Sequence, residues 1–216
     1  MPAASAHPMT SRVITTEAEL RALIGEPAEL TCAKISDRLN PMTRVFIERS
    51  PFVCIATSGP SGCCDLSPRG DPAGFVRMLD DQTLLIPERP GNRLADSFRN
   101  MLATPHVGLL FVVPGVTDTL RVNGRATITV DAGLLGPCAV EGKLPLLGVL
   151  VDIDEVYTQC SKALLRSHLW NPERFVDPAT MPTGGEVHRA IQGATFDAQQ
   201  YDRERAERYR RRVNFY

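Results

Sequence analysis

Two short segments hold the residues whose types and spacing best suit chemistry. Asp-Leu-Ser-Pro-Arg-Gly-Asp occupies 65–71, and Pro-Glu-Arg-Pro-Gly-Asn-Arg occupies 87–93. Each sets an arginine among small, hydroxyl-bearing or turn-forming residues, and each accompanies a strand-like stretch. A guanidinium presents several donors in a rigid fork that matches phosphate oxygens. Asn92 and Arg93 also stand where an apolar helical pattern begins, with Leu94, Phe98, Met101 and Leu102. Free backbone N–H groups at a helix start would add to an anion site. The two segments together predict a clamp for a phosphorylated ligand. Loop arginines beside Gly and Pro are otherwise solvated, so the pairing of the segments carries the reading.

The elements that must position these residues read mostly as β. Phe52–Ser58 is rich in apolar and β-branched residues, Gly59-Pro60-Ser61-Gly62 is a turn, and Cys63–Ser67 is the return strand. A hairpin is expected from Gly74–Leu79 and Thr83–Pro87 around Asp80-Asp81-Gln82. A helix is expected over about 92–103, then strands Val107–Val113 and Asp118–Val130. In the second of these, Leu120, Val122, Gly124, Ala126, Ile128 and Val130 alternate with Arg121, Asn123, Arg125, Thr127 and Thr129. That period of two gives one apolar and one polar face. A short helix over 132–140 and a long strand over Pro145–Tyr157 follow.

Helices flank this β region. Thr16 and Glu19 have capping-box spacing ahead of Leu20, Leu23 and Ile24, and Gly25 stops that helix. A second helix runs from Pro41 to Ser50-Pro51. Beyond Ser161 the pattern turns helical again, then a Pro- and Gly-rich loop over 177–185 leads to a polar, basic helix near 197–212. The organisation expected is an N-terminal arm (1–15) and helix within 1–40, a β domain over 41–175 and a C-terminal loop and helix over 176–216. The fold class is mainly β with flanking helices, its antiparallel strands forming a closed or partly closed barrel.

Composition narrows the partners. The chain has 216 residues and a formal net charge of −1, against the basic surplus of a dedicated nucleic-acid binder. No apolar run approaches the roughly twenty residues that span a bilayer. Met1–Thr10 lacks the basic start and apolar core of a secretory signal, so a cytoplasmic location is expected. The six cysteines show no CxxC spacing and no pairing with histidine at metal-ligand distances. Adjacent Cys63 and Cys64 point to opposite faces of a strand, so no metal is expected. No GxGxxG follows a strand, which argues against a Rossmann site. Gly136–Lys143 misses P-loop spacing and has Leu144 where Ser or Thr would bind magnesium. In the tail, arginines and tyrosines interleave over Tyr201–Tyr216, a pattern that suits a polyanion. Asp202, Glu204 and Glu207 sit at pairing distance along the same helix and favour a solvated or dimer-packing surface.

A third segment completes a pattern. Lys162-Ala163-Leu164-Leu165-Arg166-Ser167-His168-Leu169-Trp170 follows the two arginine segments in order. Over about 40–175 the chain resembles the pyridoxamine 5′-phosphate-oxidase-like flavoproteins. The match is to the subgroup carrying D-x-S-P-R-G-D, P-E-R-P-G-N-R and K-A-x-x-R-S-x-L-W. The resemblance implies a split β-barrel that binds FMN at a homodimer interface. It puts Asp65, Ser67 and Arg69 on the strand beside the flavin and its phosphate, and Pro87 and Glu88 along the ribityl chain and ring. It has Asn92 and Arg93 open the helix that receives the phosphate. Thr119 and Arg121 would contact the flavin across the interface, and Lys162, Arg166 and Trp170 would close the site. No residue is implied as an acid or base, because the flavin accepts the hydride. The resemblance departs from the oxidase itself at Leu94, where a second basic residue is expected. It departs again at Asn171-Pro172-Glu173-Arg174-Phe175, which lacks the oxidase's histidine-containing stretch for pyridoxal phosphate. The implied function is an FMN-dependent oxidoreductase acting on a small molecule. The alternative is a flavin- or haem-binding carrier or sensor, although none of the four histidines offers a clear haem ligand.

Overall fold

The computed structural model describes residues 13–216, so most of the expected arm over 1–15 lies outside the described residues. The described residues up to Ile35 form one compact unit and those from Ser36 onward a second. The first contains α1 (Glu17–Ile24) and α2 (Glu29–Ala33). The capping box expected at Thr16 is formed: its hydroxyl accepts from the Glu19 N–H, and the Glu19 carboxylate accepts from the Thr16 N–H. No helix among the described residues is long and apolar enough to cross a membrane.

The second unit opens with α3 (Pro41–Arg49), capped by Asn40, whose Oδ1 accepts from the N–H groups of Met42 and Thr43. Then come β1 (Phe52–Ser58), β2 (Cys64–Gly70), β3 (Arg77–Met78), β4 (Thr83–Pro87), α4 (Asp96–Ala103), β5 (His106–Val112) and β6 (Thr119–Thr129). These are followed by α5 (Ala132–Leu135), β7 (Gly148–Gln159), α6 (Lys162–Ser167), α7 (Gly184–Gln192) and α8 (Ala198–Arg210). The seven strands make one antiparallel sheet in the order β2-β1-β5-β6-β7-β4-β3. The sheet is not closed, because β2 and β3 are its two edges.

Alternation along the strands decides which face is inside. Val53, Ile55, Leu109, Phe111, Leu120, Val122, Val151 and Val156 point to the core with Ile47 of α3 and Met101 of α4. Leu66, Cys54, Ala56, Leu110 and Arg121 alternate with them onto the outer face. β6 and β7 share the longest ladder, broken by a register shift at Asn123/Gly124. A β-carbon on Gly124 would lie 2.1 Å from the Asp152 carbonyl oxygen, so only glycine fits there. Such a bulge bends and twists the sheet.

Three differences from the sequence expectations concern backbone geometry. The segment Gly74–Leu79 yields only the two-residue β3, its remainder running as turn and bend. α4 begins at Asp96 rather than 92, because Arg93 and Ala95 take left-handed φ values of 63° and 59°. The Asn92 side chain also accepts from the Leu94 N–H in a local turn, which competes with helix. Finally, α7 follows the Pro- and Gly-rich loop, capped by Thr183 and Glu186 and packed against α8. A β-carbon on Gly185 would lie 2.2 Å from the Ala198 carbonyl oxygen, so the glycines there serve close helix packing.

Candidate functional site

β2 sets the first segment on the sheet. Its burial alternates, so Asp65, Ser67 and Arg69 share the inner side while Cys64, Leu66, Pro68 and Gly70 face out. β4 ends at buried Pro87, and the Glu88 N–H donates to the Leu147 carbonyl, which ties the start of the second segment to the chain entering β7.

The curled sheet then brings the two segments together, although β2 and β4 lie far apart in strand order. Arg69 Nε is 3.5 Å from Glu88 Oε2, and both side chains are about one-fifth exposed. Arg89 Nε donates to Asp71 Oδ2 at 2.6 Å, with the Asp71 side chain only 2 % exposed. Two arginine–carboxylate pairs of opposite polarity therefore lace one segment to the other. The Arg69 guanidinium also lies 5.6 Å from the centre of the Phe98 ring on α4. Ser97 in the first turn of α4 donates to Asp65 Oδ2 at 2.7 Å, and Asn100 donates to Thr57 of β1 at 3.0 Å. Burial pushes the Glu88 carboxyl above the usual carboxylate value, and the Arg69 charge opposes that shift.

Arg69 is therefore committed to Glu88 and Phe98, so its role in holding the segments together precedes any role toward a ligand. Arg93 is different: it is exposed and has no ion-pair or hydrogen-bond partner among the described residues. Beside it, Asn92 uses its oxygen on Leu94 and keeps its amide donors. Ala95 cannot cap α4 with a side chain, so the first-turn N–H groups have no side-chain acceptor. A guanidinium, an amide and uncapped helix N–H groups form a donor set with the chemistry of a phosphate monoester site.

The remaining predicted residues form a separate group. Thr119 is buried at the start of β6, paired with Gln159. Arg121 sits on the outer face with its guanidinium 5.1 Å from the Tyr157 ring centre. Lys162 and Arg166 are exposed on α6, and Trp170 donates its indole N–H to the Val116 carbonyl at 2.9 Å. β6 is three strands from β2, roughly 14 Å at the usual strand spacing. Arg121 also faces away from Arg69 across the sheet. Among the described residues no hydrogen bond or ion pair joins this group to the first.

The family model for pyridoxamine 5′-phosphate oxidase matches residues 39–160, more than half of the chain. The chain belongs to the pyridoxamine 5′-phosphate oxidase family. Its curled antiparallel sheet with flanking helices is the family's mainly β, split-barrel architecture. No curated protein matches it. Among solved structures it is similar to HupZ from Group A Streptococcus, with 14 % identity and a TM-score of 0.47 over 56 % of this chain and 93 % of that one. It is also similar to a candidate pyridoxamine 5′-phosphate oxidase from Lactobacillus delbrueckii, with 19 % identity and a TM-score of 0.46 over 56 % of this chain and 95 % of that one. An FMN-binding protein from Syntrophomonas wolfei gives 14 % and 0.41, covering 55 % and 89 %.

Sequence reasoning did not find Ser97, Phe98 or Tyr216 as parts of this site. Ser97 and Phe98 follow the second segment closely, and a helical projection from Arg93 would have offered them. Tyr216, whose hydroxyl donates to Asp71 at 2.7 Å, gave no sequence signal, since 145 residues separate the pair.

Proposed function

We propose that this member of the pyridoxamine 5′-phosphate oxidase family binds FMN at a homodimer interface and serves as a cytoplasmic oxidoreductase for a small organic molecule. The observation that carries this reading is the lacing of the two segments by Arg69–Glu88 and Asp71–Arg89. It satisfies the inner charges and leaves Arg93 as an unpaired cation beside an uncapped helix start. Arg93, Asn92 and the first N–H groups of α4 would hold the phosphate. Asp65, Ser67, Arg69, Pro87 and Glu88 would line the ribityl chain and ring edge. Thr119, Arg121, Lys162, Arg166 and Trp170, which no hydrogen bond or ion pair among the described residues joins to that group, would come from the second copy. The apolar outer face around Phe52, Leu66 and Leu110 supports such a pairing.

Bound FMN would supply reversible hydride or electron acceptance. The chain's part is binding, orientation and charge: Lys162 or Arg166 would place a cation near the pyrimidine side of the ring, where negative charge grows on reduction. The 171–175 stretch lacks the histidine expected for a pyridoxal phosphate, so a different substrate is proposed. The test is an absorption spectrum of the purified protein followed by titration with FMN, FAD and haem. The paired near-ultraviolet and blue bands of oxidised flavin, with FMN preferred, are expected. A colourless protein that ignores FMN would sink the reading.

A further inference from the structure

Asp71 is the most deeply buried charged group in the candidate site, and three parts of the chain meet on it. One carboxylate oxygen takes the Arg89 Nε–H at 2.6 Å, and the other takes the Tyr216 hydroxyl at 2.7 Å. The Tyr216 ring also lies under the Arg89 guanidinium, 5.3 Å from centroid to Cζ, and 5.7 Å from that of Arg212. Arg212 in turn pairs with Glu141 at 3.2 Å. The segment after α8 is thus folded back onto both arginine segments. The hydrogen bond to Asp71 is also the main cause that raises the phenol above its ordinary value, as expected where the neutral form donates to a carboxylate.

We infer that Tyr216 is a positioning residue for the phosphate-binding loop, acting through Asp71 and Arg89. This rests on the flavin reading above. Arg89 lies between Glu88, anchored by Arg69 and Leu147, and the left-handed turn at Arg93. Turning Arg89 inward fixes the stretch that presents Asn92 and Arg93. A buried carboxylate facing one guanidinium keeps an oxygen to satisfy, and Tyr216 satisfies it. Without the hydroxyl, Asp71 would recruit water or draw Arg89 into another geometry, and the loop would lose its single presentation. A preorganised loop binds more tightly because less ordering remains to be done on binding.

The test compares wild type, Y216F, D71N and the double variant in two measurements. The first is backbone hydrogen exchange of residues 87–95 in protein freed of flavin, and the second is the FMN dissociation constant. Y216F keeps the ring on Arg89 and removes only the hydroxyl. It is expected to speed exchange in 87–95 and weaken FMN binding about tenfold, the scale of one hydrogen bond to a charged group. If Tyr216 acts through Asp71, adding Y216F to D71N should change little further. Unchanged exchange and affinity in Y216F would overturn the inference, and so would fully additive effects in the double variant. Failure of wild type to bind FMN would instead overturn the flavin reading and the ligand half of this one. The exchange comparison, made without FMN, would then still decide the brace.

Discussion

Two arginines of similar sequence setting have different work. Arg69 is held by Glu88 and Phe98, whereas Arg93 has no partner among the described residues. Arg93→Ala is therefore expected to weaken FMN binding at least tenfold without lowering the melting temperature, read by fluorescence titration and thermal unfolding. Arg69→Ala should instead lower stability, since it leaves Glu88 part-buried without its counter-charge. Glu88 itself gives a pH signature. Unfolded, it ionises at its ordinary value; folded, burial makes it keep its proton to higher pH. The folded state then binds more protons in the window just above the ordinary carboxylate value, so this group's contribution to stability falls as pH rises through that window. Glu88→Gln has no such proton. Denaturant titrations should show wild type losing stability relative to the variant as pH climbs through the window, and a flat difference would remove burial as the controlling influence on Glu88.

The elements that place these residues were legible in the chain wherever the cause is local. Period-two alternation marks β6, and capping residues mark α1 and α3, because each signal lies within one element. α4 starts later than the apolar periodicity reaching back to Leu94 predicts, because the left-handed backbone at Arg93 and Ala95 is set by the surroundings. The bulge at Gly124 had no signal beyond a glycine in a strand, yet it helps curl the sheet. Gly124→Ala would force a β-carbon against the Asp152 carbonyl and should cost about 1–3 kcal/mol, measured as a lower denaturant midpoint. An unchanged midpoint would show that β6 and β7 can slide apart there without loss.

For the molecule as a whole, the division of the predicted residues into two separate groups is the main consequence of the fold. Contacts within one chain link Asp65 to Ser97 and Arg69 to Glu88 and Phe98, while Arg121 and Trp170 make theirs with Tyr157 and Val116. Under the proposed function, a complete site would take a second copy, joined through the apolar outer face where Leu66 is 67 % exposed. Leu66→Lys would put a charge into that contact. Sedimentation is expected to show monomers, with FMN affinity falling in parallel. A monomeric variant that binds FMN as wild type does would mean that one chain holds the flavin alone.

The residue types of the clamp, the strand and helix pattern around it and the three ordered segments are all present in the sequence. Hydrogen-bond capping and side-chain periodicity act over a few residues, so they can be read without knowing the fold. Which arginine is spent and which is free depends on the curl of a seven-stranded sheet. That curl brings Arg69 to Glu88 and Arg89 to Asp71, and the return of the chain after α8 sets Tyr216 on the same carboxylate. These pairings join residues far apart in the chain, and only packing in three dimensions sets the distances on which their charges and hydrogen bonds depend.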